Sequence, residues 1–428
     1  MFKKSTLLMM MLVLVFSLAL AACGPQRDAE PEPTPGETGD EVTDETAVDE
    51  PKPESLTMWV NDEETQLQAY EDIAADYEAE RGIAVNIVPM SMLDQLDALS
   101  LDGPAGLGPD LFIHPHDRVG AIYLQGLAAE LDLTADQLAG YQEGALEALS
   151  YEGFQFGIPA VVETYGLFYN TDLIPEAPET MDELLDIARD LTNAANDEYG
   201  FLMEATNFYF TYPFLAGPGG YVFGRDADGA YDITDIGLSN EGAVQGGQLI
   251  QSWFEEGLMP RGITGDVMSG LFMDGKVGAV VTGPWSIPDF SDALGENLAV
   301  TTLPTIDGNN LNSFSGVKGW FVSEYSENKD WATDLALFIT NAENSEHYFN
   351  LAGEIPARDD ITIDDELRNG ILAQAEFAEP MPNVPEMSQV WDPMGDALEF
   401  ISQGDDVAEV LEEAVEDIHE QIEMTAGQ

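Results

Sequence analysis

The chain has 428 residues, with 81 acidic and 14 basic side chains and a net charge of −67. Hydrophobic residues make up 44% of it, so the chain is not an acidic disordered tail but contains enough apolar material for cores. So negative a surface repels phosphate backbones, which argues against a nucleic-acid partner. The single cysteine excludes a disulfide framework and a cysteine-based zinc site. Because chains above roughly 250–300 residues divide their cores, we expect two lobes.

The first 22 residues have the pattern of an export signal. Two lysines precede an apolar run at 7–20, and two alanines then lead to Cys23, the one cysteine of the chain. The sequence Leu-Ala-Ala-Cys-Gly around it resembles a bacterial lipobox, in which the cysteine carries the lipid of the mature protein. A transmembrane anchor is the alternative, since the run is marginally long enough. We predict a signal peptide at 1–22 and a lipid anchor on Cys23, holding the protein at the outer face of the cell membrane.

A low-complexity segment follows the cysteine. Residues 24–55 contain 11 acidic and 2 basic side chains and no aromatic residue. Such a segment cannot bury a core, and its charges repel one another. We therefore interpret residues 23–55 as the lipidated cysteine and an extended acidic tether.

From residue 56 the chain alternates strand and helix patterns. Short apolar runs at 56–61, 84–88, 110–113 and 276–282 indicate strands. Helical spacing follows the first of them, a capping box at 180–183 opens another helix, and 407–422 is amphipathic. This alternation predicts an α/β protein in which each lobe is a mainly parallel sheet flanked by helices, with binding groups at the carboxyl ends of the strands.

Motifs of catalytic and cofactor sites are few. The sequence has neither the Gly-x-Ser-x-Gly elbow nor the His-Glu-x-x-His motif, and no cofactor is predicted. His114, His116 and Asp117 are a candidate metal cluster, with spare carboxylates nearby. Asp117 and Glu163 are a candidate pair for glycoside hydrolysis. Both alternatives stay open at this point.

Aromatic residues at the starts of loops are the positive signal. Trp59 closes the first predicted strand and Trp285 follows the strand at 276–282. Trp391 lies near the carboxyl end, and residues 208–212 read Phe-Tyr-Phe-Thr-Tyr. An aromatic face matches the C–H face of a pyranose ring, while carboxylates and guanidinium groups bind its hydroxyls. Trp253 and Trp331, on predicted helices, are interpreted as core residues. The pattern favours a cleft for a neutral sugar.

Several longer segments carry a family resemblance, collinear from about residue 56 to the carboxyl end. The segments are 59–61, 108–110, 116–118, 159–163, 208–213, 219–223, 282–285 and 381–388 with Trp391. Together they resemble the maltose/maltodextrin-binding proteins of bacterial ABC importers, in solute-binding protein family 1. The resemblance implies a non-catalytic monomer with a two-lobed, type II periplasmic-binding-protein-like fold. Three interlobe crossings would let it close on a malto-oligosaccharide and deliver the sugar to the importer's membrane subunits.

Site residues are carried over position by position. Asp117, Arg118 and Glu163 fall where the family binds sugar hydroxyls. The positions at which the family stacks rings on glucose are occupied here by Tyr209, Trp285 and Trp391. The implied crossings lie near 162–164, 314–318 and 360–366. They assign 56–161 plus 319–360 to the N-terminal lobe and 163–317 plus 361–428 to the C-terminal lobe.

The chain departs from the best-known maltose binders at several candidate positions. Glu63 begins a Glu-Glu pair in place of an Asp-Lys pair, His114 replaces a tryptophan, and Asn207 replaces a glutamate. Met90 and Met92 would line the cleft with adaptable apolar surface, or pack beneath the loop. These departures favour a longer or bulkier glucan, such as maltotriose and above or a cyclodextrin.

Three other functions remain as alternatives. The same fold binding a galactan or xylan fragment is the nearest. A surface glycoside hydrolase would use Glu163 and Asp117. An acidic cation-binding or cell-surface interaction protein would exploit the negative field.

Overall fold

A computed structural model describes residues 50–226 and 229–426. The predicted signal peptide, the lipidated Cys23 and the tether up to residue 49 lie outside the described residues. The described part from residue 50 belongs to one compact unit. Within it, no helix combines the length and apolarity that crossing a membrane requires.

The described segments contain fifteen strands and fourteen α-helices. The strands are β1 (Ser55–Val60), β2 (Ala84–Pro89), β3 (Leu111–Pro115), β4 (Ser150–Tyr151), β5 (Phe154–Gln155), β6 (Gly157–Glu163), β7 (Gly166–Asn170), β8 (Tyr199–Leu202), β9 (Gly224–Arg225), β10 (Tyr231–Asp232), β11 (Val277–Thr282), β12 (Leu298–Thr301), β13 (Phe314–Val322), β14 (Ile355–Pro356) and β15 (Glu379–Pro380). The helices are α1 (Glu64–Arg81), α2 (Gln95–Asp102), α3 (Val119–Gln125), α4 (Glu143–Ala148), α5 (Met181–Leu191), α6 (Phe208–Ala216), α7 (Glu241–Glu255), α8 (Gly265–Met273), α9 (Ile287–Leu294), α10 (Lys329–Ile339), α11 (Ala342–Ala352), α12 (Glu366–Ala375), α13 (Trp391–Gln403) and α14 (Val407–Ala426).

Two sheets organise the chain, and consecutive strands β6 and β7 belong to different ones. The first sheet has the order β14-β6-β13-β3-β1-β2, with β15 paired to the start of β13. The second sheet has the order β12-β7-β11-β8. Between β6 and β7 the chain passes from one sheet to the other within residues 164–165. The predicted α/β class is confirmed.

Strand direction shows which ends face the gap between the sheets. β1, β2, β3 and β6 run one way in the first sheet, as β8, β11 and β12 do in the second. The strands that run the opposite way are β7 in the second sheet and β13, β14 and β15 in the first. Both sheets are therefore mixed, although most of their strands are parallel. The reason is the route of the chain. Strands β7 and β13 follow a passage between the sheets, so they start at the edge where the parallel strands end.

Alternation along the strands builds a core on each face of the first sheet. Met58 and Val60 of β1 face one apolar cluster, whereas Trp59 between them faces the other. Trp59 is 4% exposed, so it is a core residue rather than an aromatic wall of a loop. Successive side chains of a strand point to opposite faces, and this explains why a residue near the end of β1 can still be buried. Trp253 is likewise buried, as predicted, in the apolar core around the second sheet. Trp331 is half-buried and packs against a core of the first sheet.

Local signals place the helix ends. Helix α1 stops at Gly82, whose φ of +63° is the left-handed conformation that glycine adopts most readily. Helix α5 begins with the predicted capping box, in which the Thr180 side chain and the Glu183 amide are paired. The last predicted helix is observed as α14.

Candidate functional site

A cleft of about 850 Å³ lies between the two sheets, within the size range of small-molecule sites. All ten predicted ligand-binding positions line it: Glu63, Met92, His114, Asp117, Arg118, Glu163, Asn207, Tyr209, Trp285 and Trp391. Their convergence on one cavity is a finding about position. Their role in binding stays a prediction.

The first sheet supplies the polar side of the cleft from the carboxyl ends of its strands. Glu63 follows β1, His114 lies on β3, and Asp117 and Arg118 form the single 3₁₀ turn after β3. Glu163 is the last residue of β6. Because parallel strands end at the same edge, residues as far apart in the chain as Glu63 and Glu163 meet there.

The second sheet and the helices behind it supply most of the aromatic side. Asn207 is the N-cap of α6, and its Oδ1 accepts a hydrogen bond from the backbone N–H of Tyr209 at 3.1 Å. Trp285 lies in the 3₁₀ turn after β11, with its indole directly over Gly283. A Cβ at Gly283 would come within 2.2 Å of a ring atom, so only glycine lets the indole lie there. Trp391 is the first residue of α13.

Asp117 is buried and already engaged from two sides. Its Oδ2 accepts a hydrogen bond from the Trp391 indole N–H at 3.1 Å and lies 3.3 Å from Nε of Arg118. Burial raises the pKa of the Asp117 carboxyl to about 6, against the charge of Arg118 and the indole hydrogen bond, which lower it. The other oxygen, Oδ1, has neither of these two contacts. The carboxylate therefore links the two sides of the cleft.

Glu163 belongs to a buried ionic cluster that the sequence did not predict. Its Oε2 lies 2.6 Å from Nζ of Lys318 on β13, and the same Nζ lies 2.5 Å from Oε1 of Glu354. Tyr348 donates a hydrogen bond of 2.5 Å to the other oxygen of Glu354. Burial raises the pKa of Glu163, the charge of Lys318 opposes this rise, and that of Glu354 adds to it.

His114 on β3 and His116 in the turn after it have different surroundings. His114 is 1% exposed, and burial, with the charge of Arg118, lowers its pKa to about 3, so the ring is neutral. His116 accepts the Val317 N–H at Nδ1, which assigns the proton to Nε2 and its hydrogen bond to the Met381 carbonyl. Both nitrogens of His116 are therefore occupied by backbone groups. Among the described residues, no group of three or more His, Cys, Asp or Glu is placed to hold a metal ion.

Two hydroxyl groups at the cleft have no hydrogen-bond partner in the part of the chain that the structure describes. Tyr209 Oη and Ser388 Oγ are buried atoms without a hydrogen bond, and both residues line the cavity. The Tyr209 ring is half-buried and packs against Tyr165 and Phe314. Buried polar atoms are normally paired, so these two are positions where a ligand hydroxyl would be satisfied.

The rim of the cleft is acidic and partly apolar. Glu63 is exposed, and its pKa is raised by partial burial and then by Asp62, Asp266 and Asp289. Met92 lines the cavity, with its backbone N–H bonded to Asn61, as one reading of the methionine loop predicted. Both methionines also pack half-buried against apolar clusters, which is the alternative interpretation, so Met92 fits both interpretations and Met90 the second.

Sequence reasoning missed Lys318 as a cleft residue. It is the only charged side chain in the nine residues of β13 and is 6% exposed. A lysine inside a buried apolar strand needs partners, and this was the signal available in the sequence. Its partner Glu354 lies 36 residues later, so the pairing itself could not be read from local pattern.

Comparisons with known proteins agree with this architecture. Residues 72–375 match the family model described as bacterial extracellular solute-binding protein. A galactooligosaccharide-binding protein of Bacillus subtilis is 35% identical over 96% of both chains. A maltooligosaccharide ABC transporter solute-binding lipoprotein of Streptococcus pneumoniae strain R6 is 32% identical over 100% of this chain and 99% of its own.

A solved structure shows the same likeness. It is an extracellular solute-binding protein from Staphylococcus aureus in complex with maltose, 44% identical, with a TM-score of 0.70. The match covers 88% of this chain and 100% of that one. The chain described here belongs to the bacterial extracellular solute-binding proteins, which bind solutes and are not enzymes.

Proposed function

We propose that the protein captures malto-oligosaccharides outside the cell and delivers them to an ABC sugar importer. The observation that carries the proposal is the composition of the cleft. Trp285, Tyr209 and Trp391 line it together with engaged carboxylates and two unpartnered hydroxyl groups. Flat apolar faces combined with neutral hydrogen-bonding positions fit a neutral sugar better than an ion or an apolar ligand.

Two similar proteins support a glucan as the ligand. The S. pneumoniae relative is named for maltooligosaccharides, and the S. aureus structure holds maltose. His114 lines the cleft where the best-known maltose binders have a tryptophan, and Met92 adds adaptable apolar surface to the same cleft. Both features support maltotriose or longer chains. The ligand would bias a closed form of the two lobes, which is the form an importer recognises.

The anchoring and lobe boundaries are part of this proposal. A lipid on Cys23 would hold a monomer at the cell membrane, and the S. pneumoniae relative is named a lipoprotein. The lobes would be 56–161 plus 319–360 and 163–317 plus 361–428. The passage of the chain between the sheets at 164–165 supports the first of the three crossings.

A galactooligosaccharide is the second candidate ligand. It is favoured by the B. subtilis relative, which is named for that sugar and is 35% identical. Galactose and glucose differ only in the direction of one hydroxyl group, so the aromatic faces would accept both. Discrimination would rest on the polar groups of the cleft.

Hydrolysis is disfavoured by the state of the two candidate carboxylates. Glu163 is in contact with Lys318, and Asp117 with Arg118 and Trp391. Neither is placed as a free acid or nucleophile.

Calorimetric titration of the purified protein with maltotriose, galactotriose and xylotriose tests the proposal. We expect the tightest binding for maltotriose and no shortened products when maltoheptaose is incubated with the protein and chromatographed. Binding of galactotriose alone would replace the proposed ligand by the second candidate. Binding of none of these sugars, or new reducing ends, would contradict the proposal.

Protonation of Asp117 should weaken sugar binding at acidic pH. Its pKa is about 6, so the acceptor for a sugar hydroxyl is lost as the pH falls from 7 to 5. Asp117→Asn should bind about 10- to 100-fold more weakly at pH 7, because a hydrogen bond to a charged group is lost. Glu163 and Glu63, whose pKa values are also raised, remain in this variant. The difference between the two affinity-against-pH curves therefore isolates Asp117, and parallel curves would contradict its role.

A further inference from the structure

Lys318 lies between the two sides of the cleft. It belongs to β13, where a register shift interrupts pairing with β6 between Lys318 and Gly319. Its ammonium group contacts Glu163 at 2.6 Å and Glu354 at 2.5 Å, and its side chain is 8% exposed. An ammonium so deeply buried is held by those carboxylates rather than by water.

The two carboxylates around it face different environments. Glu163 lines the cleft, whereas Glu354 is fully buried and receives a hydrogen bond from Tyr348. Tyr348 therefore holds Glu354 in place, Glu354 holds Lys318, and Lys318 holds Glu163. These contacts form a continuous series from Tyr348 in the core of the first lobe to Glu163 at the cleft.

The same ammonium reaches an aromatic wall that belongs to the second sheet. Its Nζ lies 5.0 Å from the centroid of the Trp285 ring, within the range of a cation–π contact. Trp285 follows β11, while Lys318 lies in the first sheet. One side chain therefore contacts both a hydrogen-bonding group and a stacking group of the candidate site.

We infer that Lys318 is a positioning residue of the sugar site, through which the Glu163 carboxylate and the Trp285 ring are held in the geometry that binds sugar. This inference rests on the proposed function. It assigns to Lys318 an effect on affinity that is separate from its effect on folding. The separation follows from its three contacts, since Glu354 serves the fold while Glu163 and Trp285 face the ligand.

The test uses Lys318→Met, the double variant Lys318→Met/Glu354→Gln, and Lys329→Met as control. Lys329 is a partly exposed lysine paired with Glu324, so its loss changes the net charge by the same amount as Lys318→Met. The double variant removes one buried cation and one buried carboxylate, which avoids leaving two carboxylates without a cation. We expect maltotriose affinity to fall about 10- to 100-fold in both Lys318 variants and to be unchanged in the control.

The pH dependence of maltotriose affinity distinguishes a positioning role of Lys318 from a general loss of structure. The charged or titratable groups around Glu163 are Lys318, Glu354, Asp117 and Tyr209. In Lys318→Met, Glu163 and Glu354 repel each other, and sugar binding should become weaker as the pH rises from 7 to 9. The parent protein and the control should show no such slope.

The outcomes separate this inference from the proposed function. If the parent protein binds no sugar, the proposed function fails. If the parent binds maltotriose and the folded double variant binds it equally well, Lys318 has a structural role only and the inference is overturned.

Discussion

Trp285→Ala and Trp391→Ala should each weaken maltotriose binding by about 1–3 kcal/mol, the scale of burying one aromatic face. Both rings line the cleft, and each has a second contact there. Trp285 lies over the ammonium of Lys318, and Trp391 donates its indole N–H to Asp117. We expect Trp391→Phe to recover part of the loss, since it restores a ring face without the hydrogen bond. Calorimetric titration of the purified variants measures these differences.

Phe400→Ala provides a matched control on the helix that carries Trp391. Phe400 is 48% exposed and is not among the residues that line the cleft. Its removal should leave affinity unchanged. If Trp285→Ala and Trp391→Ala remain folded and bind as tightly as Phe400→Ala, the two tryptophans are not part of the binding surface.

Lys318→Met should lower the free energy of unfolding by about 3–5 kcal/mol, the cost of removing one partner from a buried ionic cluster. The variant leaves Glu163 and Glu354 close together without a cation. The pKa of Glu163, which burial and the charge of Glu354 raise, then rises further in the folded state because Lys318 no longer opposes them. The folded state therefore binds more protons than the unfolded state. Stability should therefore fall further as the pH rises from about 5 to about 8, because an acid with a raised folded pKa costs stability above its unfolded pKa.

Denaturant titrations at several pH values measure this effect. The double variant Lys318→Met/Glu354→Gln should regain part of the loss and should have a smaller pH slope, because only Glu163 then remains without a cation. Lys329→Met should change stability by no more than about 1 kcal/mol, as is usual for an exposed pair. A Lys318→Met protein as stable as this control at every pH would contradict the buried cluster.

The positions of the cleft residues could be predicted because topology fixes them. Strand-ending residues such as Asp117 and Glu163 are placed by the rule that parallel strands end at one edge, and the aromatic motifs carried the family resemblance. Lys318 could not be assigned in the same way. Its role depends on Glu354, which meets it only when the strand β14 region folds against β6.

Other differences have similarly local causes. Trp59 and Trp285 both stand near the ends of predicted strands, yet one is in the core and the other in the cleft. The alternation of β1 turns Trp59 to a covered face, whereas Trp285 lies beyond β11, in a turn that glycine permits. Met90 and Met92 both pack half-buried against apolar clusters, and Met92 also lines the cleft. Pattern gives the strand, but only the packed neighbour decides which face is covered.

A crystal structure of the protein grown with maltotriose tests the central claim most directly. We expect an intact sugar in the cleft, with Trp285 and Trp391 against its rings and Asp117 and Glu163 within hydrogen-bond distance of its hydroxyl groups. An empty cleft in crystals saturated with the sugar, or a sugar bound elsewhere on the molecule, would contradict it.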